Sequence, residues 1–471
     1  MTPRKLFLAG KWVDSGAALT VTSPWDGTHI AQVAAATEVH LDEAADAAVL
    51  AFRGGALPPH ARATMLLAIA AELRARHEEA ARLLSAEAGK PIRDARREVD
   101  RAIGTFVVSA EEARRIGGEV IALDALDAGQ GKVGFTRRFP AGPVLGISPF
   151  NFPLNLVAHK VAPALAAGCP IVLKPASRTP LSSLLLAEMA EHAGVPPGAL
   201  SVVPCDREVG DHLVADDRFR VLTFTGSPEV GWAMRARAGR KRVVLELGGN
   251  AAVIVHDDAD LQRAADRITA GAFSYAGQSC ISVQRVICHD RIESALRDLL
   301  LLRARALRVG DPLGEDTDVG PMIDLGQAKR AESWITEAKD GGARLLLGGE
   351  RRGTLLPPTL LDHARREMKI CAKEVFAPVA VISPYADFAD ALAQVNDSEY
   401  GLQAGVFTRD FSRIWQAFET LEVGGVLVNE VPTWRVDHMP YGGVKASGTG
   451  REGPRWAIED YTELRLLAVH L

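Results

Sequence analysis

Apolar residues recur at three- and four-residue spacing across residues 41–116, as in Leu66, Leu67, Ile69 and Leu73 or in Ile103, Phe106 and Val107, amid Ala, Glu and Arg. That period is the stripe of an amphipathic helix, so the region is predicted to be a helical layer without a site of its own. From about residue 140 the pattern changes to short apolar runs ending in Gly or Pro, each followed by an Ala-rich helical stretch. The runs are 144–147, 170–173, 200–203, 221–224 and 243–247. A second series begins near Ala251, with strand candidates at 253–255, 286–289, 345–347, 379–382 and 425–428 and helices such as 260–272 and 292–307. Strand–helix alternation implies right-handed crossovers, mostly parallel sheets and ligands at the carboxyl ends of the strands. Residues 118–139 place Asp and Gly-Gln-Gly turn material between β-prone ends, which predicts a two-stranded arm that needs a further surface for stability.

The length of 471 residues suggests about three domains at ~150 residues each. Hydrophobic residues at 47% and charged residues at 24% are ordinary for a globular chain. A net charge of -5 offers no basic field for a polyanion, which argues against nucleic-acid binding. The N-terminal stretch is broken by Gly10, Lys11 and Asp14, and no window reaches the ~20 apolar residues of a membrane span, so a cytoplasmic protein is expected. Five cysteines are odd in number and sparse, which argues against a disulfide framework. No His-Glu-x-x-His or Cys-x-x-Cys spacing occurs, and no metal is expected.

Three positions carry candidate chemistry. Cys280 lies in the small, polar segment Gly277-Gln278-Ser279-Cys280-Ile281-Ser282, whereas Cys169, Cys205 and Cys288 sit beside apolar strand ends. It is the reachable thiol, set against the common role of cysteine as a small buried hydrophobe. Glu246 ends an apolar run that leads into Gly248-Gly249-Asn250. Desolvation there would lift its pKa towards the range of a general base, or the residue merely marks a strand end; both readings stay open. Asn151, between Pro149 and Pro153, is either an oxyanion donor or part of a plain turn. Ser227 and Pro228 suit the start of a helix whose N–H groups face a phosphate. The segment Gly448-Thr449-Gly450-Arg451-Glu452-Gly453 matches a dinucleotide fingerprint, but no apolar strand precedes it, so it is read as a loop.

Asn151 in Phe-Asn-Phe-Pro, Lys174 in Lys-Pro-Ala-Ser, Phe-Thr-Gly-Ser at 224–227, Glu246 in Leu-Glu-Leu-Gly-Gly-Asn, Cys280 in Gly-Gln-Ser-Cys, Glu374 in Glu-Val-Phe-Ala-Pro and Pro440-Tyr441-Gly442-Gly443 follow one another in order. Together they resemble the NAD(P)-dependent aldehyde dehydrogenase superfamily over nearly the whole chain. The resemblance implies an α/β fold with two parallel-sheet domains and a small β oligomerisation arm. The cofactor-binding domain would take residues 1–117 and 140–247, the catalytic domain 248–453, and the arm 118–139 and 454–471, in a homodimer or homotetramer. It implies Cys280 as nucleophile, Asn151 and the Cys280 N–H as the oxyanion site, and Glu246 as the base that activates water. Lys174 and Glu374 would hold the cofactor riboses and Ser227, beside Gly226, the pyrophosphate, with Phe376 also against the cofactor.

Cofactor and substrate follow from departures within that pattern. Relatives that reject NADP commonly carry Glu three residues after the ribose Lys; here Ser177 and Arg178 stand there, so NADP is favoured and NAD remains usable. Positions that are aromatic in relatives acting on apolar aldehydes correspond to His159, Ser274 and Arg435, and Arg101 falls where a guanidinium can approach the tunnel mouth. A small polar or anionic aldehyde is therefore expected. Two other activities compete: acyl transfer to coenzyme A, against which Glu246 speaks, and cofactor-free cysteine hydrolysis, which requires a histidine at Cys280.

Overall fold

The computed structural model describes residues 3–471. Its first sheet has eight strands, in spatial order Lys11–Val13, Leu6–Leu8, Leu200–Val202, Ile171–Lys174, Val144–Ile147, Val221–Thr225, Arg242–Glu246 and Gly448–Thr449. The strands from Leu200–Val202 through Arg242–Glu246 run parallel, and the flanking ones are antiparallel. Helices cover both faces, which is why runs such as Val144–Ile147 are apolar throughout rather than alternating. Strand order reverses between Val144–Ile147 and Val221–Thr225, and a crevice opens beyond the carboxyl ends at that point.

The second sheet has seven strands in the order Arg344–Leu347, Thr359–Asp362, Val379–Tyr385, Arg285–His289, Ala252–Val255, Gln403–Phe407 and Gly425–Val428. All pairs but the first are parallel. Thr359–Asp362 and Gln403–Phe407 are absent from the predicted runs. Their Thr, Asp, Gln and Gly residues break the apolar signal, and these strands are buried because their neighbours in the sheet cover them.

The predicted helical layer is four helices, Glu38–Arg53, Pro59–Ala75, His77–Ala88 and Ile92–Ala113. The arm differs from expectation in having three strands. Thr462–His470 pairs antiparallel with Lys132–Pro140 along its whole length, and Val120–Ile121 lies on the other side. Hydrogen bonds from the far end of the chain thus complete what the local pattern alone left at two strands. The preceding Pro454–Asp460 is a helix packed on Asn155–Ala167. Among the described residues no helix is long and apolar enough to cross a membrane.

Candidate active site

A cleft of about 990 Å³ lies at the carboxyl ends of the first sheet's parallel strands and extends to the second sheet. Ser148, Lys174, Thr225 and Glu246 reach it from four adjacent strand ends, and Cys280, Glu374 and Arg435 face it from the other side. Every residue singled out in the sequence lines this cleft except His159.

The chain approaches Cys280 through three successive left-handed residues, Tyr275 (φ 49°), Ala276 (φ 52°) and Gly277 (φ 66°). For the two non-glycines this backbone costs on the order of 1–3 kcal/mol each. At Gly277 a Cβ would stand 2.1 Å from the Ala377 carbonyl oxygen, so only glycine fits. Gln278 fixes the turn: its Oε1 accepts from the Ile323 N–H at 2.8 Å, and its carbonyl accepts from Asn151 Nδ2 at 3.0 Å. The amide nitrogen of Asn151 carries a second hydrogen, which remains for an oxyanion. The Cys280 sulfur lies 3.0 Å from the Tyr441 hydroxyl, a partner that the sequence placed only as part of a motif. Burial pushes the thiol up to about 12, although the Tyr441 bond acts the other way.

Glu246 is buried, and neither carboxyl oxygen has a hydrogen-bond partner. Burial and the neighbouring Glu452 hold its pKa well above the ordinary carboxylate range. Of its two sequence readings, the strand end is real, and the raised pKa accompanies it. The glycine turn that follows touches the nucleophile's backbone: a Cβ on Gly249 would meet the Cys280 carbonyl oxygen at 2.1 Å.

Behind both segments lies an ion pair that sequence reasoning missed. Lys90 and Glu98 have no exposed side-chain surface. The Lys90 ammonium sits 3.7 Å from the Phe152 ring centre and 4.4 Å from that of Tyr275. Glu98 accepts the N–H groups of Leu154 and Asn155 at 3.0 and 3.1 Å, satisfying free donors where helix Asn155–Ala167 begins. The helical layer is therefore not without a site, since Ile92–Ala113 also brings Asp94 and Arg101 to the cleft.

At the other end the cleft suits a dinucleotide. Helix Pro228–Arg237 starts there, with Ser227 at its N-cap position but making no side-chain cap bond, so its first N–H groups stay free for a phosphate. Lys174 and Ser177 stand nearby, and Glu374 accepts the Gly249 N–H at 2.8 Å while burial lifts its carboxyl to about 7. Phe376 meets Phe150 edge-on at 6.0 Å. Arg178 is engaged by Asp324 at 3.3 Å, whereas Arg207, overlooked in the sequence, lines the same wall with no ion pair among the described residues.

The expected aldehyde contacts divide. Arg101, Ser274 and Arg435 line the cleft, and the Arg435 guanidinium stacks 3.7 Å above the Tyr441 ring. His159 is corrected: it sits behind that wall, fully buried, with Nε2 at 2.8 Å from Asp437 Oδ1 and 3.0 Å from Arg435 Nη2. Helix Asn155–Ala167 is buried on every side, which carries the imidazole inward. Asp437 also accepts from Arg101, bidentately at 3.1 and 2.8 Å, and from Asn155 at 3.1 Å. Burial would raise its carboxyl, but the His159 bond and the charges of Arg101 and Arg435 hold it well below the usual range. The segment read as a loop starts instead as the strand Gly448–Thr449 beside Leu245 and Glu246, and it delivers Glu452, which accepts from Arg435 at 3.1 Å.

Among the described residues no histidine lines the cleft, so the hydrolase alternative lacks its base. The sequence pattern of the aldehyde dehydrogenase family matches residues 12–467. The 3-sulfolactaldehyde dehydrogenase of Priestia aryabhattai is 44% identical over 467 residues, 99% of this chain and 98% of that protein. The crystal structure of aldehyde dehydrogenase 21 from Physcomitrella patens, in complex with the reaction product succinate, superposes with a TM-score of 0.98 at 46% identity, covering 100% and 99% of the two chains. NADP-dependent glyceraldehyde-3-phosphate dehydrogenase from Bacillus halodurans, complexed with NADP, gives 0.97 at 36% identity with 100% of both chains covered.

A thiol lifted to about 12 is almost wholly protonated at neutral pH. Alkylation of Cys280 by iodoacetamide in the cofactor-free protein, followed by peptide mass spectrometry, should thus keep accelerating beyond pH 9. A plateau at or below pH 8 would show a thiolate that this environment does not support.

Proposed function

The chain belongs to the aldehyde dehydrogenase family and oxidises an aldehyde to a carboxylic acid with NAD(P) as hydride acceptor, and from that premise we propose that Cys280, Asn151 and Glu246 divide the chemistry. The observation that carries this is their convergence on one cleft, with Asn151 hydrogen-bonded to the residue two before the nucleophile. The Cys280 sulfur, its S–H proton given up to water in the cleft, adds to the aldehyde carbon, and the former carbonyl oxygen is held by the spare Asn151 N–H and the Cys280 backbone N–H. The cofactor supplies the acceptor for the hydride that leaves this carbon, and the product on the enzyme is a thioester. Water then attacks the thioester carbon, ionised Glu246 takes its proton, and the C–S bond breaks to release the carboxylic acid and return the Cys280 sulfur; an elevated pKa makes the ionised carboxylate a stronger base.

The substrate reading is a small polar, anionic aldehyde. Arg101 and Arg435 on the cleft wall support it, as does the resemblance to proteins named for sulfolactaldehyde and solved with succinate. NADP is favoured over NAD because Ser177 and the unpaired Arg207 flank the wall beside Lys174, where a hydroxyl and a guanidinium suit a 2′-phosphate. Arg178, tied to Asp324, plays a smaller part than its position in the sequence implied. The arm exposes Val120, Phe135, Leu464, Leu466 and Leu467, and helix Phe411–Thr420 exposes Phe411, Trp415 and Phe418. Apolar surface of this extent on strands and a helix is best covered by a second copy, in a homodimer or homotetramer.

Glu246→Gln should give one burst of reduced cofactor and then stall as acyl-enzyme, seen as a mass increase on Cys280; steady turnover at the parent rate would assign the base elsewhere. Steady-state kinetics with succinic semialdehyde and propanal, each with NADP and NAD, test both preferences. NADP should give the higher kcat/KM, and Arg435→Leu should raise KM for the anion by about tenfold but change that for propanal little. A preference for NAD, or equal effects on the two aldehydes, would reject the corresponding reading. Sedimentation of the protein at micromolar concentration should show no monomer, and Leu464→Glu with Leu466→Glu should release it; a monomeric parent protein would refute the assembly.

A further inference from the structure

One buried group in contact with the nucleophile has no part in the steps above. The Tyr441 hydroxyl is 3.0 Å from the Cys280 sulfur, and the Arg435 guanidinium carbon lies 3.7 Å from the centre of the Tyr441 ring. Thiol, phenol and cation thus form a row, and Glu452 fixes its geometry. The Tyr441 N–H donates to the Glu452 carbonyl at 3.0 Å and the Glu452 N–H to the Tyr441 carbonyl at 2.6 Å, while the Glu452 carboxylate accepts from Arg435 Nη2 at 3.1 Å. One residue therefore holds both the ring and the cation that covers it. Ile281 and Leu402 complete an apolar cluster with the ring. The other titratable groups facing the sulfur are Glu374 and Glu246, and each opposes negative charge on it. Arg435 is itself faced by His159, Asp437 and Glu452, with Lys160 3.7 Å from Glu452.

We propose that Tyr441 is a catalytic residue whose hydroxyl donates to the Cys280 sulfur whenever that atom carries negative charge, and that Arg435, acting through the ring, strengthens this donor. The proposal rests on the assignment of Cys280 as nucleophile. Negative charge resides on the sulfur twice in the cycle. It is there once the S–H proton has passed to water and before the C–S bond forms, and again when that bond breaks in hydrolysis and its electron pair returns to sulfur. Tyr441 keeps its own proton throughout, because burial and the neighbouring sulfur hold the phenol well above its usual range. A hydrogen bond to a charged atom is about twice as strong as one between neutral groups, so the Tyr441 bond tightens as the thiolate forms. Arg435 is the positioning residue: a cation on the ring face draws electron density from the ring and polarises the O–H towards the sulfur.

The test reads the sulfur without substrate, where a role in aldehyde binding has no effect. Tyr441→Phe keeps the ring, the stack and the backbone bonds. Alkylation of Cys280 by iodoacetamide in the cofactor-free protein, followed by peptide mass spectrometry, should be about threefold slower in this variant at each pH from 7 to 9. Loss of the donor removes about tenfold of the thiolate, and the greater nucleophilicity of the more basic sulfur offsets that by about threefold. Glu246 and Glu374 are present in every variant, so the ratio of rates at one pH reports the change at the sulfur. Arg435→Leu should slow alkylation by about twofold, Arg435→Lys should stay near the parent, and Arg435→Leu should add nothing in the Tyr441→Phe background. In rapid mixing with succinic semialdehyde and NADP, the burst of reduced cofactor should slow by about threefold in Tyr441→Phe. Alkylation as fast as in the parent, or an unslowed burst, would overturn the role of Tyr441. An equal effect of Arg435→Leu in both backgrounds would show the charge acting directly on sulfur and overturn the relay through the ring. Cys280→Ala that still oxidised the aldehyde at more than a trace rate would instead refute the nucleophile assignment itself.

Discussion

The buried Lys90–Glu98 pair is the constraint on which the rest of the site depends. Its cation fills the space between Phe152, next to Asn151, and Tyr275, the first residue of the left-handed approach to Cys280. Its anion closes the start of helix Asn155–Ala167. One interaction therefore bears on the oxyanion donor, the nucleophile segment and the helix that carries His159 and Lys160. Neither charge is tolerable alone in such surroundings; the pair persists because each member has further partners, aromatic faces for the ammonium and backbone N–H groups for the carboxylate. The strain at Tyr275 and Ala276 is held by the same packing, with the Tyr275 hydroxyl tied to the Ala88 carbonyl at 3.1 Å.

Around that frame the cleft has two electrostatic halves. One half presents free N–H groups at a helix start and side chains such as Arg207 that make no ion pair among the described residues. At the aldehyde end Arg101 and Arg435 are linked through Asp437 and Glu452, while Arg97 and Arg267 lie in separate pairs. Glu246 stands between the halves with no hydrogen bond to either oxygen. A carboxyl so placed favours its neutral form, and it must give up its own proton before it can take one from water.

The arm obeys a different economy. Its strands show exposed leucines on both faces, apolar surface that the proposed assembly would cover. The C-terminal strand that completes it lies more than three hundred residues from its partner in the chain, so the local pattern at 118–139 could show a hairpin but not the third strand.

By itself the sequence determined the α/β alternation, the helical layer and most of the strands, because apolar period and glycine breaks are local properties. The residues at strand ends were legible for the same reason: Asn151, Lys174, Glu246 and Cys280 sit in short motifs whose order survives without a structure. Tertiary structure alone decided the company they keep. Tyr441 beside the thiol, Lys90 under Phe152, and Glu452 folded back from a segment that looked like a nucleotide loop all arise from contacts between distant parts of the chain. His159 shows the limit most plainly. Counting offsets placed it in the substrate pocket, yet its helix is buried all round, and the ring turns to Asp437. Spacing along a chain fixes which side chains share a turn; which of them faces a cavity depends on what packs against the others.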